Sequence, residues 1–119
     1  MEIERIIRWN RFIEEICFKD MSSLNETQRI AVLCFWYDAE MGNGGFNGYK
    51  DCYPDTDVEE LRNALAAVGT QDIVDNYWEA LTIGEFDDWV KTDGEYYDLT
   101  PSLADCLAEY VEKNKEKIF

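Results

Sequence analysis

The chain has 119 residues, the length of one globular domain, so no second domain or long linker is expected. It carries 26 Asp and Glu against 11 Lys and Arg, a formal net charge of −15, and its 46% hydrophobic content is enough for a packed core. This charge argues against nucleic acid and anionic membranes as partners and favours a basic protein.

The first two predicted helices are read from apolar spacing. Apolar residues recur every three or four positions over residues 2–18, which predicts a helix with a broad apolar face. Ser23 and Glu26 have the spacing of a capping box, and the apolar block 30–37 follows them. This block is too continuous for a surface helix, so we predict a central, buried helix that runs to about Glu40.

A glycine-rich turn is predicted after this helix, because glycines permit positive φ and make a continued helix costly. The glycines are Gly42, Gly44 and Gly45. Thr56 and Glu59 form a second capping box, and the helix that they begin is predicted to end at Gly69.

The second half of the chain contains two further helices and one segment without a clear pattern. Thr70 is predicted to cap a helix that reaches about Leu81. The acidic, aromatic sequence 85–99 indicates irregular or short helical structure. Thr100 and Pro101 occupy the preferred cap and first-turn positions of the last helix.

The predicted fold class is all-α, because no segment alternates with period two for long enough to be a strand. We expect a compact single-domain bundle of about five main helices over residues 1–119, with the Gly-rich turn after the second helix. The longest apolar run is far too short to span a membrane and no secretion signal is visible, so a cytoplasmic chain is expected. The hydrophobic surplus leaves a homodimer through an apolar helix face open.

The residue types that most catalytic and metal sites use are scarce. The chain has no His, which removes the usual general base and the commonest metal ligand. Its four Cys show no paired short spacing, and the acidic clusters that begin at Asp51 and Asp93 do not match a calcium loop. We therefore expect no enzyme, no cofactor and no metal. The remaining catalytic alternative is Glu40, as a buried acid beside the glycine turn.

The negative charge is concentrated in residues 51–112, which hold two basic residues against 17 acidic ones. Helical spacing places carboxylates in an outward stripe on each of the last two predicted helices. With two acidic residues of the preceding helix, they are the predicted partner-binding residues: Asp57, Glu60, Asp72, Asp75, Glu79, Asp105, Glu109 and Glu112. Like charges at i, i+4 cost about 0.2–0.5 kcal/mol per pair, so stability alone does not explain the stripes.

The stripes are either ordinary solvated helix faces or an imitation of the nucleic-acid backbone. Duplex DNA carries one charge per roughly 1.7 Å, so a charge of −15 corresponds to about 25 Å of duplex. A domain of this length spans roughly 35 Å, which brings its charge per unit length close to that of DNA.

One motif follows the apolar central helix and reads E-x-x-N-G-G-F-x-x-Y. Its residues are Glu40, Asn43, Gly44, Gly45, Phe46 and Tyr49. It resembles the signature of the DNA mimic protein 19 family, and the stretch from Gly94 to the terminal Phe119 is similar to that family's closing pattern. The resemblance implies a compact, acidic, all-helical bacterial domain that is not an enzyme and occupies the DNA-binding face of a protein such as a transcription factor. We expect the motif residues to shape a core turn.

The leading hypothesis is a cytoplasmic, non-enzymatic protein whose acidic face binds a basic partner, such as a DNA-binding protein, and excludes DNA by competition. Such binding should weaken steeply as the salt concentration rises. The alternative is an immunity or antitoxin-type protein that neutralises a specific toxin, for example a basic nuclease. That interface would use aromatic anchors and depend less on salt.

Overall fold

Seven α-helices make up most of residues 3–119, the part of the chain that this computed structural model describes, and that part contains no strand. The helices are α1 Ile3–Arg11, α2 Glu26–Cys52, α3 Val58–Val68, α4 Gln71–Thr82, α5 Val90–Asp98, α6 Leu103–Lys113 and α7 Lys115–Ile118. A π-helical turn Phe12–Ile16 and two 3-10 turns, Met21–Ser23 and Gly84–Asp87, complete the regular structure. The all-α prediction is confirmed, with seven helices instead of about five.

Helix α2 is the element around which the others pack. It contacts α3, α5, α6 and α7, while α1 packs on α6 and α4 packs on both α3 and α5. The apolar block predicted to be central supplies several of its buried side chains: Ala31, Val32, Cys34 and Tyr37. Within residues 3–119, no helix combines the length and the apolar character needed to cross a bilayer.

The core is aromatic and centres on Tyr37, whose side chain is fully buried. Four further rings pack edge-on against it at centroid distances of 4.9–6.5 Å: Phe46, Tyr49, Tyr77 and Tyr96. Such edge-to-face pairs contribute about 0.5–1.5 kcal/mol each beyond the area they bury. The rings come from α2, α4 and α5, so this cluster ties the central helix to the α4 and α5 side of the molecule.

Three helices begin one or two residues later than predicted. Their N-caps are Asn25, Asp57 and Ser102, where the sequence pattern predicts Ser23, Thr56 and Thr100. Each observed cap is itself a preferred cap residue. Each of these helix starts therefore contains two candidate cap residues, one or two positions apart. Asn25 forms a complete capping box with Gln28, whereas the Ser23 hydroxyl donates to the Asp20 carbonyl at 2.6 Å. The predicted cap at Thr70 is confirmed.

The first and last predicted helices are both interrupted. The first was predicted over residues 2–18, of which Glu2 lies outside the described residues. It becomes π-helical after Arg11, where the Cys17 N–H donates to the Phe12 carbonyl at 3.0 Å. The last helix breaks at Asn114 before α7. The prediction of short helical structure over 85–99 is confirmed by the second 3-10 turn and α5.

The predicted end of the central helix near Glu40 is four residues early, because Gly42 and Gly44 remain helical, but the predicted glycine break with positive φ is confirmed at Gly45. The helix kinks at Gly45, where φ is 69° and ψ is −166°, and then continues to Cys52. The Phe46 N–H left unpaired by this kink donates to the Asp93 carboxylate of α5 at 3.1 Å. The same carboxylate packs so closely on Gly45 that a Cβ at this position would overlap it. The glycine-rich segment is therefore a kink fastened to α5.

The kink predicts opposite effects for two neighbouring glycines. Gly45→Ala should lower the free energy of unfolding by at least about 2 kcal/mol, because alanine disfavours positive φ and its Cβ overlaps Asp93. Gly44→Ala should raise it by about 0.5–1 kcal/mol, because Gly44 is helical and has open space around it. Urea unfolding of both variants measures the difference, and equal effects would show that the kink does not require glycine.

Candidate functional site

A groove of about 490 Å³ lies between α4 and α5. The two helices are joined by the turn at residues 83–89 and pack side by side, with the start of α4 against the end of α5. Five carboxylate residues line the groove: Asp72, Asp75, Glu79, Glu95 and Asp98. Asn76, Leu99 and Thr100 complete its walls. We call this feature the acidic groove.

Helical periodicity explains how α4 supplies three of these carboxylates. Asp72, Asp75 and Glu79 fall at i, i+3 and i+7, whereas the residues between them, such as Ile73 and Tyr77, are buried in the core. Asp72 and Asp75 are exposed, and the Asp75 carboxylate accepts a hydrogen bond from the Gln71 side chain at 2.8 Å. The predicted outward stripe on this helix is therefore present.

Lys91 is the cation that lies against the groove carboxylates. Its Nζ is 2.7 Å from Glu79 and 3.7 Å from Glu95. The hydrogen bond to Glu79 raises the pKa of Lys91, so this ammonium remains charged. Within residues 3–119, no ion pair to Asp72, Asp75 or Asp98 is formed. These three carboxylates are the open anionic positions of the groove.

Asn76 adds a buried acceptor to the wall of the groove. Its side chain is 5% exposed, and its Nδ2 donates to the Thr92 carbonyl at 3.0 Å. Among the described residues, its Oδ1 accepts no hydrogen bond. This oxygen is itself buried, and a buried acceptor without a donor costs about 1–3 kcal/mol.

The acidic groove has the chemistry of a site for extended cationic side chains. Within residues 3–119, no three Asp, Glu or Cys side chains converge closely enough to hold a metal ion. The carboxylates instead follow the length of the groove. A guanidinium offers several N–H donors in one plane and pairs with carboxylates through two parallel hydrogen bonds.

The predicted stripe on α6 lies elsewhere and is largely paired inside the protein. Glu109 contacts Arg5 at 2.7 Å, and Glu112 accepts two hydrogen bonds from Arg8, at 2.6 and 2.8 Å. The Arg8 guanidinium lowers the pKa of Glu112. These pairs fasten α1 to α6, so the like charges along α6 face arginines of another helix. Asp105 is exposed near the start of the same helix.

The two predicted residues of α3 also have partners within the chain. Asp57 is the N-cap of α3 and accepts from the Glu60 N–H at 3.0 Å. The Glu60 carboxylate accepts hydrogen bonds from Nε and Nη2 of Arg29 on α2, at 2.6 and 2.8 Å, and these bonds lower the pKa of Glu60. Of the eight predicted partner-binding residues, the structure brings Asp72, Asp75 and Glu79 together in the groove.

Sequence reasoning missed the contributions of Asn76, Glu95 and Asp98. Glu95 and Asp98 have the i, i+3 spacing of a helix face, but they fall in the segment 85–99, whose sequence indicates irregular or short helical structure without a defined face. Asn76 carries no sequence signal, because its importance comes from burial without a donor.

Three of the six motif residues, Gly45, Phe46 and Tyr49, are buried at the α2 kink, so the expected core role holds for these three. Phe46 is buried against the Tyr77 and Trp89 rings, at centroid distances of 6.1 and 6.0 Å. The Tyr49 hydroxyl pairs with Thr56 at 3.2 Å. Asn43 and Gly44 are exposed, and Glu40 is half-buried, where its hydrogen bond raises the pKa of the Cys52 thiol.

A cavity of about 510 Å³ lies on the other side of α2, near the start of α3. Its walls include the rings of Trp36, Tyr49 and Tyr53. The indole N–H of Trp36 donates to the Cys17 carbonyl at 3.0 Å, and the Tyr49 hydroxyl is bonded to Thr56. The Trp36 and Tyr49 groups are satisfied inside the protein, whereas three carboxylates of the acidic groove form no ion pair within residues 3–119.

A comparison with protein families shows which family this chain belongs to. The family described as DMP19-like protein matches residues 22–114. The chain belongs to the DMP19-like protein family. The curated proteins gave no match, and neither did the solved structures. The matched part of this DMP19-like protein contains the α2 kink and the whole acidic groove, whereas α1 with its arginines lies before it.

The structure separates carboxylates that hold the fold from those that do not. Glu112→Gln should lower the free energy of unfolding by about 1–2 kcal/mol at pH 7, because it weakens the charge-assisted bonds from Arg8. The folded pKa of Glu112 lies below its ordinary value, so its contribution is complete above that value and is lost as the pH falls through the folded pKa. The deficit of the variant should therefore shrink in acid.

Asp75→Asn is the matched control, because Asp75 is exposed and asparagine can still accept from Gln71. Its effect should stay within about 0.5 kcal/mol at either pH. Urea unfolding at pH 7 and at pH 3 measures both variants. A deficit of Glu112→Gln that is unchanged in acid would contradict the ion pair as its cause.

Proposed function

We propose that this DMP19-like protein is a non-enzymatic binding protein whose acidic groove takes arginine side chains from a basic partner, in particular from the DNA-contacting face of a DNA-binding protein. The observation that carries the proposal is the groove itself. Five carboxylates line it, and Asp72, Asp75 and Asp98 form no ion pair within residues 3–119.

The preference for arginine over lysine follows from the carboxylates that both helices bring to the groove. A guanidinium that enters between them presents N–H donors on more than one edge, so it can pair with carboxylates of α4 and of α5 at the same time. An ammonium is a more strongly hydrated point charge and loses more hydration in such a groove. Arginine is also the side chain that DNA-binding proteins use most for paired contacts with phosphates and guanine.

Competition with DNA would act through a local concentration of charge. The described residues extend 43 Å along the longest axis, more than the roughly 35 Å expected from length, and without Glu2 they carry a net charge of −14, which gives one charge per about 3 Å. Duplex DNA carries one per roughly 1.7 Å. Averaged over its length the protein is less charged than DNA, so the proposed mimicry depends on the α4 and α5 segment, where acidic residues outnumber basic ones most strongly.

Affinity capture from a native lysate at low and high salt tests the proposal. The groove variant combines Asp72→Asn, Asp75→Asn and Asp98→Asn. The matched control combines Glu14→Gln, Asp51→Asn and Glu116→Gln, which removes the same net charge from exposed positions outside the groove. Circular dichroism confirms that all three proteins are folded.

We expect a DNA-binding protein to be captured at low salt, to be lost with the groove variant and to be kept by the control. Its affinity should fall about tenfold or more from low to high salt, because screening shortens the range of the attraction. The captured protein should release its DNA when the natural chain is added. If both variants lost the captured protein equally, binding would depend on net charge and not on the groove. A partner that the groove variant retains at high salt would favour the immunity-type alternative.

A further inference from the structure

The turn that joins α4 to α5 exposes the most solvent-accessible large hydrophobic side chain among the described residues. Phe86 is 91% exposed, and its neighbours in the turn, Ile83 and Val90, are also exposed. Phe86 lies within the 3-10 turn Gly84–Asp87, and Ile83 directly precedes this turn. The core does not use this ring, so the fold does not account for an aromatic residue here.

The backbone of this turn is held in a conformation that non-glycine residues rarely adopt. Asp88 and Trp89 are consecutive and both left-handed, with φ of 60° and 62°. The Trp89 N–H donates to the Gly84 carbonyl at 2.7 Å, and the Asp88 N–H donates to the Glu85 carbonyl at 3.1 Å. Left-handed residues in such a position persist when the surrounding structure fixes them.

Trp89 is the residue that fixes the turn to the core. Its side chain is buried, and its indole N–H donates to the Ala80 carbonyl of α4 at 2.9 Å. Its ring packs on Gly84 so closely that a Cβ there would overlap it, and Lys50 lies over the ring at 4.6 Å from the centroid. Phe86 is therefore presented on a pre-ordered turn, which lowers the entropy lost when a partner binds it.

The surroundings of Phe86 define the kind of partner that fits. Glu85, Asp87 and Asp88 are all exposed and flank the ring in sequence. A second copy of the chain would bring two such acidic turns together, which like-charge repulsion opposes. An apolar socket with Arg or Lys at its rim matches both the ring and its carboxylates.

We propose that Phe86 is an apolar anchor, and that the basic partner of the acidic groove carries an apolar socket rimmed by Arg or Lys that receives it. This inference rests on the proposed function, because the turn lies at one end of the same pair of helices that forms the groove. The groove attracts any partner of sufficient positive charge. Among partners of equal charge, Phe86 favours the one that carries the apolar socket.

The test uses two synthetic peptides of equal length and charge, one that alternates Arg with Gly and one that alternates Arg with Leu. Fluorescence anisotropy measures their affinity for the natural chain, for Phe86→Ala, for the groove variant and for Ile3→Ala. Ile3 is also exposed but lies on α1, so its variant controls for loss of an exposed apolar side chain. Thermal unfolding should give the same Tm for Phe86→Ala and the natural chain.

We expect the natural chain and Ile3→Ala to bind the Arg-Leu peptide about tenfold more tightly than the Arg-Gly peptide. Phe86→Ala should bind the two peptides equally, with the affinity that the natural chain has for the Arg-Gly peptide. The groove variant should lose affinity for both.

Two results would overturn the anchor while leaving the proposed function in place. They are an unchanged preference for the Arg-Leu peptide in Phe86→Ala, and self-association of the natural chain in sedimentation that Phe86→Ala abolishes. The proposed function itself would be overturned if the groove variant bound both peptides as tightly as the natural chain does. It would also be overturned if the natural chain bound neither peptide.

Discussion

The half of the molecule that contains the acidic groove depends on hydrogen bonds between α2 and α5. The Tyr96 and Tyr97 hydroxyls of α5 donate to the Asp38 carboxylate and to the Met41 carbonyl, and the Phe46 N–H donates to the Asp93 carboxylate. The Phe46 bond also satisfies the backbone where α2 kinks at Gly45, so it fixes α5 at the kink. The groove exists because α5 is held there beside α4. Burial raises the pKa of Asp93, although the Phe46 N–H acts in the opposite direction. The kink thus positions α5 at an electrostatic cost that the hydrogen bond partly offsets.

The eleven Lys and Arg residues are too few to neutralise the chain, and their placement decides which carboxylates remain open. Arg5 and Arg8 hold α1 on α6, and Arg29 joins α2 to α3. These pairs remove Glu60, Glu109 and Glu112 from the set of open carboxylates. The unpaired negative charge at the start of α4 and the end of α5 is therefore a result of how the arginines are distributed.

Much of the helical framework follows from sequence, because apolar periodicity reports burial directly. Thr70 and the central burial of the block that includes Tyr37 were predicted correctly. Caps such as Asn25 were missed because a neighbouring Ser offered the same chemistry at a similar spacing. The sequence predicts a break in these glycines but does not single out Gly45, since what distinguishes Gly45 from Gly44 is the approach of Asp93, 48 residues further along the chain. The sequence predicts the α4 side of the groove, because its carboxylates follow a regular helical spacing. The α5 side was missed, because it reaches the groove through tertiary packing.

The ionisable contacts on the two sides of α2 respond to acid in opposite directions. Asp93 has a raised folded pKa, so protonation favours the folded kink, and its cost disappears as the pH falls through that pKa. Glu60 and Glu112 have lowered folded pKa values, so the arginine pairs that hold α3 and α1 weaken over the same descent. Acidification therefore weakens the ion pairs that hold α1 and α3, whereas it relieves the electrostatic cost at the junction of α2 and α5. The acidic groove thus lies beside the junction whose carboxylate favours folding more strongly in acid.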